Sequence, residues 1–217
     1  KYTYGVRGID AECAAQLPPG VAPYRGHVDS HPYGSVTTRH GTYVADAGSN
    51  AVVKVDRRGK VRTVAVLPPT KVHITAEIAT GFGLPACVVG KNILLESVPT
   101  DVEVGKRGEL YVSTLPGGPE GELGPLGAVY RLDPRTGAVK LVARGFTGAT
   151  GLAVAPDGTI YVAELFGGQV SAISRRGKVT PLVDLPAPAG VEWAKGQLYV
   201  STDVFGNGSI VSLKVRR

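Results

Sequence analysis

One short sequence motif occurs four times in the chain: Gly41-Thr-Tyr-Val-Ala-Asp46, Glu109-Leu-Tyr-Val-Ser-Thr114, Thr159-Ile-Tyr-Val-Ala-Glu164 and Gln197-Leu-Tyr-Val-Ser-Thr202. Each copy is typical of a short strand, preceded by a turn that contains glycine and followed by a glycine-rich loop and another strand. Repeats of about 40 residues with several strands each are the sequence signature of a β-propeller. The repeats therefore predict an all-β fold of four-stranded antiparallel blades arranged around an axis.

The repeats predict about four blades within a single domain, 1–217, with boundaries near 31–68, 99–146, 147–186 and 187–217. In Ile160–Leu165 both alternating faces are largely apolar, as expected for a sheet that is packed between two others. The last repeat is one strand short, and Lys1–Arg7 has the strand character to complete it. Two architectures stay open: a closed four-bladed ring, if Lys1–Arg7 is that closing strand, or part of a larger six-bladed ring.

Two segments fall outside the repeats, and each contains one of the two cysteines. The first, 9–30, contains Cys13 and a predicted short helix at Asp10–Leu17; the second is an insert, 69–98, that contains Cys87. Neither cysteine has the spacing of a zinc ligand. They form either one disulfide in an exported protein or two buried free thiols.

The composition of the chain argues against two classes of function, nucleic-acid binding and membrane spanning. The net charge is +6, but the basic residues are scattered as turn pairs such as Arg57-Arg58, and aromatic residues make up only 6% of the chain. Nucleic-acid binding needs a clustered basic stripe or stacking platform, so we predict no nucleic-acid partner. No run of 18 apolar residues occurs, which predicts no membrane span. The chain starts at Lys1 and contains no Met, so we expect a processed or trimmed product.

A resemblance to a known family follows from the stretch Val44-Ala-Asp-Ala-Gly-Ser-Asn50-Ala-Val-Val-Lys-Val-Asp56, which is similar to an NHL repeat. The order of Asp29-Ser-His-Pro-Tyr-Gly34, Thr63-Val-Ala-Val-Leu-Pro68, Ser97-Val-Pro-Thr100 and Gly151-Leu-Ala-Val-Ala-Pro-Asp-Gly158 resembles the bacterial ScyD/ScyE propeller family. The resemblance covers about 29–215. It implies a propeller with more blades than this chain encodes and a secreted or extracytoplasmic location, without implying a reaction.

No nucleophile elbow, HExxH, P-loop or dinucleotide motif occurs. Aligned repeats instead place Asp46, Thr114, Glu164 and Thr202 at one equivalent position, the end of the second strand, with Asp203 adjacent. Carboxylates that converge on a channel mouth can bind a hard cation such as calcium or act as acid–base groups. Asp46 and Glu164 are the weak candidates for metal ligands. The alternative is that both side chains cap turns.

Further polar residues are predicted to face the same rim of the channel. His31 and Tyr33 lie just before the innermost predicted strand of the first repeat, and Asp101 lies just before that of the second. The loop Leu115–Leu126 is much longer than its counterparts. We interpret it either as a lid or partner contact, or as a disordered loop without a function.

Three functional hypotheses follow. The first is an exported binding or scaffold module that presents a site for a protein or small-molecule ligand on this rim, with no cofactor. The second is a metal-assisted lyase or lactonase that uses the same carboxylates. The third, suggested by the missing strand, is an oligomer formed by strand exchange.

Overall fold

The computed structural model describes residues 2–26, 29–119 and 121–215. Four antiparallel sheets follow one another along the chain, and we number them as blades I to IV. Blade I consists of β3 (Pro32–Thr38), β4 (Gly41–Asp46), β5 (Ala51–Val55) and β6 (Val61–Val66). Blade II consists of β8 (Asn92–Val104), β9 (Leu110–Gly117), β10 (Gly127–Leu132) and β11 (Val139–Phe146). Blade III consists of β12 (Ala149–Val154), β13 (Ile160–Glu164), β14 (Gln169–Ile173) and β15 (Val179–Asp184). Blade IV has three strands: β16 (Val191–Ala194), β17 (Gln197–Thr202) and β18 (Ser209–Leu213).

The repeated tyrosines occupy matching positions, which confirms the alignment of the repeats. Each lies on the second strand of its blade, opposite one residue of the first strand and one of the third. Those flanking pairs are Val36 and Lys54 for Tyr43, Glu103 and Arg131 for Tyr111, Ala153 and Ala172 for Tyr161, and Glu192 and Ser212 for Tyr199. The core lies between blades, because the apolar faces of neighbouring sheets pack together. Tyr43, for example, packs with Val102 and Val112 of blade II.

The first strands of successive blades lie side by side and line the axis. The Thr100 hydroxyl of β8 donates a hydrogen bond to the Ala149 carbonyl of blade III at 2.8 Å, and the Thr150 hydroxyl donates to the Ala189 carbonyl at 2.9 Å. A Cβ atom at Gly151 would lie 2.6 Å from the Ala189 oxygen, so only glycine permits this approach. Blade order along the chain is therefore blade order around the axis.

The two segments outside the repeats fold together as a small disulfide-bonded unit, which we call the module. It contains β1 (Thr3–Arg7), α1 (Ala11–Ala15), β2 (Tyr24–Arg25), β7 (Thr70–His73), α2 (Ala76–Gly81) and a 3-10 turn at Ala86–Val88. Cys13 and Cys87 form the bridge, with their Cα atoms 6.0 Å apart, which confirms the disulfide interpretation. Asp10 caps α1 by accepting the Cys13 N–H at 2.8 Å. No helix among the described residues is long and apolar enough to cross a membrane.

The alternative in which Lys1–Arg7 closes the last blade is not the one observed. Strand β1 pairs with Asn92–Leu94 of β8 and with β2, and Lys1 itself lies outside the described residues. The physical reason is burial: Val6 is completely buried in the hydrophobic core of the module. Strand β8 is long enough to serve both units, since its first half belongs to the module and its second half lines the axis of the propeller.

The blades form an open arc, as expected for part of a larger ring. Among the described strands, none of blade I pairs with any of blade IV, and β18 pairs only with β17. The closed four-bladed architecture is therefore not the one adopted. The loop Leu115–Leu126 also differs from expectation: β9 continues to Gly117, and Leu123 and Leu126 pack against the core of the module.

Candidate functional site

The rim carboxylates predicted from the repeats are buried and hold the turns of their own blades. Asp46 accepts hydrogen bonds from the His31 N–H at 2.7 Å, the Ser30 hydroxyl at 2.8 Å and the Ser49 N–H at 3.3 Å. Burial by itself would raise the pKa of Asp46, but these hydrogen bonds outweigh it and lower the pKa below its usual value. The carboxylate is thus satisfied within blade I.

Glu164 occupies the equivalent position in blade III and is satisfied in the same way. Its carboxylate accepts hydrogen bonds from the Thr147 N–H at 2.8 Å, the Gln169 amide at 2.8 Å and the Ser171 hydroxyl at 2.5 Å. Thr202, the counterpart in blade IV, donates its hydroxyl hydrogen bond to the Pro186 carbonyl. These side chains fix the rim loops in place.

The other predicted rim residues are spread over separate blades. Asp203 lies in a turn with positive φ and accepts the Asn207 N–H at 3.2 Å. Tyr33 is 59% exposed, and His31 contacts Asp46 through its backbone. Within 2–26, 29–119 and 121–215, no group of three or more His, Cys, Asp or Glu side chains is arranged to hold a metal ion. The cation at Asp46 and Glu164 stays a prediction.

Asp101 is the predicted site residue that the structure places directly on the axis. The aligned repeats have glycine at this position (Gly34, Gly151 and Gly190), so Asp101 is the exception. Its carboxylate accepts the Val102 N–H at 2.8 Å and, from blade III, the Leu152 N–H at 3.0 Å. It also lies against blade I, because a Cβ atom at Gly34 would be 2.4 Å from Asp101 Oδ1. One side chain therefore contacts three blades.

Two further carboxylates accompany Asp101, and sequence reasoning missed both. Glu103 lies two residues further along β8, and Glu192 holds the equivalent position on β16, each opposite the repeated tyrosine of its blade. The corresponding residues of blades I and III, Val36 and Ala153, are apolar. The aligned sequence did contain a signal for Glu103 and Glu192: a glutamate occurs at the same aligned position in two of the four inner strands.

All three carboxyl groups have a raised pKa. Burial raises the pKa of Glu103 to about 7, and the charges of Asp101 and Glu192 add to this effect. Burial raises the pKa of Asp101 to about 6 despite the two N–H donors, with a contribution from Glu192. Partial desolvation also raises the pKa of Glu192, although this residue is exposed. The axis therefore carries carboxyl groups that exchange protons close to neutral pH.

Comparisons with known proteins support the fold of the chain and do not assign it to a family. A scan against protein-family models finds no match, and a search of curated proteins finds none either. Among solved structures, a streptogramin B lyase is similar with a TM-score of 0.54 and 14% identity, over 88% of this chain and 57% of that one. A virginiamycin B lyase from Staphylococcus aureus gives 0.53 and 16%, over 93% and 62%. A gluconolactonase from Xanthomonas campestris gives 0.58 and 19%, over 86% and 59%.

These neighbours agree with the architecture seen in the chain. The chain spans about three fifths of the length of each of them. At under 20% identity the similarity shows the fold and carries no residue role. The chain is an all-β propeller arc of four blades, to which a disulfide-bonded module is attached.

Proposed function

We propose that the chain is part of a propeller enzyme that transfers protons to and from a small polar substrate at its axis, in a reaction of the lyase or lactonase class. The observation that carries the proposal is the meeting of Asp101, Glu103 and Glu192 on the inner strands of two blades. A carboxyl group with a pKa near neutrality is suited to general acid–base catalysis, since both of its protonation states are populated at working pH.

The chemistry of both reaction classes fits such a group. Opening a lactone with water requires a base that takes the water proton and an acid that protonates the leaving oxygen. A β-elimination requires a base for a proton on carbon and an acid for the leaving group. Glu103 is the candidate for the proton-transferring residue, because its pKa lies nearest to 7. Burial is the main cause of this raised pKa, and the charges of Asp101 and Glu192 add to it.

The solved neighbours support the reaction class without establishing it. They are named as lyases and as a gluconolactonase, and they share the fold. The carboxylates of the described residues do not form a ready-made metal site, so no step of the proposal is routed through a metal. The disulfide favours an extracytoplasmic location, because such bridges persist mainly in oxidising compartments. The finer assignment to the ScyD/ScyE family stays a prediction.

The test is a variant of Glu103 assayed on a panel of sugar lactones and cyclic peptide lactones. Glu103→Gln should lower the turnover of any accepted substrate by about 10²-fold or more and abolish the limb of the rate–pH profile near pH 7. Glu77→Gln, on the exposed surface of α2, is the matched control and should leave turnover unchanged. Equal rates in both variants, or no turnover of the panel by the parent protein, would contradict the proposal.

A binding module without chemistry is the second candidate, and one observation favours it. Three large aromatic side chains are exposed at the rim: Tyr33 is 59% exposed, Phe166 43% and Phe205 75%. Exposed aromatic residues are common at binding surfaces. Calorimetric titration of the same panel separates the two functions. Binding without turnover that persists in Glu103→Gln and is lost in Phe166→Ser/Phe205→Ser supports the binding module. Oligomerisation by strand exchange at β18 stays a prediction.

A further inference from the structure

A second concave surface lies away from the axis, between blades I and II. It has a volume of about 960 Å³, within the range of ligand sites. Three hairpins line it: the turn after β3, the turn between β8 and β9, and the turn between β10 and β11. These hairpins lie at the end of the blades opposite the rim that carries Asp46 and Glu164. We call this surface the basic cleft.

The basic cleft has a strong excess of positive charge. Five arginines and two lysines line it, against two carboxylates, Glu109 and Asp133. Asp133 accepts the Arg135 N–H at 2.8 Å, and Glu109 accepts the Arg107 N–H at 2.9 Å. Among the described residues that line the basic cleft, Arg135 and Asp133 form the one ion pair within 4.0 Å. Most of the cations in the cleft therefore have no carboxylate partner.

Two walls present these cations towards the same space. On blade I, Tyr43, Lys54 and Arg62 are cross-strand neighbours, and Lys54 Nζ lies 5.3 Å from the centre of the Tyr43 ring. On blade II, the hairpin with Lys106 and Arg107 faces them. Like charges gathered in a concave surface repel one another and concentrate a positive potential. A bound anion would relieve that repulsion.

The equivalent space between blades III and IV carries no such charge. Its lining contains Asp157, Thr159, Tyr161 and Trp193 but no lysine or arginine, and its volume is about 270 Å³. The positions that correspond to Lys54 and Arg62 are Ala172 and Thr180. The positive charge is thus specific to one of two related clefts and does not follow from the blade architecture.

We propose that the basic cleft binds a short, chain-like polyanion that carries several phosphate or sulfate groups. Arginine is the side chain best suited to such oxyanions, because its planar guanidinium group donates two parallel hydrogen bonds to them. Cations from three separate hairpins can each contact a different group along a flexible chain, whereas a flat bilayer does not fit a concave surface. This site is separate from the axial carboxylates and does not rest on the proposed enzymatic function.

The test is a titration with two probes, inorganic tripolyphosphate and a sulfated heparin oligosaccharide, at low and physiological salt. Arg62→Glu/Arg107→Glu should weaken binding more than about tenfold, because two guanidinium donors to the anion are replaced by carboxylates that repel it. The control is Arg176→Glu/Lys178→Glu, in an exposed turn of blade III. It makes the same change in net charge and should retain most of the affinity.

Each outcome of the titration either supports the polyanion site or overturns it. A preference for one probe assigns the phosphate or the sulfate source of the anion. Equal losses in both double variants, or equal binding of anionic lipid vesicles, would show that overall charge attracts the probes, and this would overturn the proposal. Binding of neither probe by the parent protein would overturn it too. Arg62→Gln/Arg107→Gln, with the circular dichroism spectrum of the parent protein, checks that the loss comes from the cleft and not from unfolding.

Discussion

The clefts at the blade I–II and blade III–IV junctions share one register, but they differ in charge and in the residue that faces the repeated tyrosine from the next blade. Between blades III and IV, Tyr161 stacks on Trp193 with ring centres 5.8 Å apart and planes inclined by 4°. Between blades I and II the matching tyrosine is Tyr43, and the matching position on the next inner strand is Val104. Trp193 and Val104 both pair with the leucine that precedes the repeated tyrosine.

The side chain at this position is one of the differences between a filled and an open blade junction. A tryptophan covers the face of the tyrosine and leaves about 270 Å³. A valine leaves the end of the junction open, and the cleft of about 960 Å³ contains Lys54 above the Tyr43 ring. Stacking supplies stability at one junction, whereas the other retains a charged concave surface.

The largest effect is expected from emptying the filled cleft. Trp193→Ala should lower the free energy of unfolding by about 3 kcal/mol, the lower end of the range for aromatic truncations, because Trp193 is only half-buried. Urea denaturation measures the loss. Phe205→Ala, an aromatic residue that is 75% exposed, is the control and should change stability little. A loss for Trp193→Ala no greater than for the control would show that the stacked pair does not hold the junction.

The next effect comes from filling the open cleft. Val104→Trp copies the blade III–IV junction and should place an indole against Tyr43, where it displaces Lys54. Affinity for tripolyphosphate should fall about tenfold, which corresponds to about 1.4 kcal/mol. Val104→Leu keeps the position apolar without an aromatic ring and should bind normally. Unchanged affinity in a folded Val104→Trp protein would mean that the open junction is not the binding space.

A smaller effect is expected along the axis, where Glu103 of blade II holds the position that Ala153 holds in blade III. Folding raises the pKa of Glu103 from 4.5 to about 7, so the folded state binds the proton more tightly than the unfolded chain does. The resulting stabilisation is complete below about pH 4.5 and is lost as pH rises through about 7.

Replacing the carboxyl group of Glu103 tests the direction of this pH dependence of stability. Relative to the parent protein, Glu103→Gln should be more stable at pH 8, and its urea midpoint should change less between pH 5 and pH 8. Glu77→Gln, on the surface of the module, should follow the pH dependence of the parent protein. If Glu103→Gln did so as well, Glu103 would not titrate in this window.

The smallest effect concerns the single contact between Lys54 and Tyr43. Lys54→Met keeps most of the length of the side chain and removes the charge, so the cation–π contribution of about 0.5–1 kcal/mol is lost. Thermal unfolding should show a slight decrease in stability, with a severalfold loss in tripolyphosphate affinity. Ala172→Met, at the corresponding position of blade III, is the control for adding a methionine. A stability rise in Lys54→Met would indicate that repulsion among the cations outweighs this contact.

Much of the fold could be predicted from the sequence, because strand periodicity and glycine turns are local. The predicted strand at Ile160–Glu164 is observed with the same bounds, and all four repeated tyrosines fall in register. One of the three axial carboxylates was accessible in the same way, since Asp101 was predicted as a site residue next to its strand. Glu103 and Glu192 were missed because their importance depends on two strands 89 positions apart in the chain meeting near one axis.

The sequence by itself determined the blades, because alternating residues and turn glycines act within a few positions of one another and their pattern can be read directly. The tertiary structure alone decided where β1 pairs, which carboxylates interact and which junction stays open. In each case the deciding energy comes from contacts between distant segments. Val6 enters the core of the module, Glu192 raises the pKa of Glu103, and Trp193 covers Tyr161.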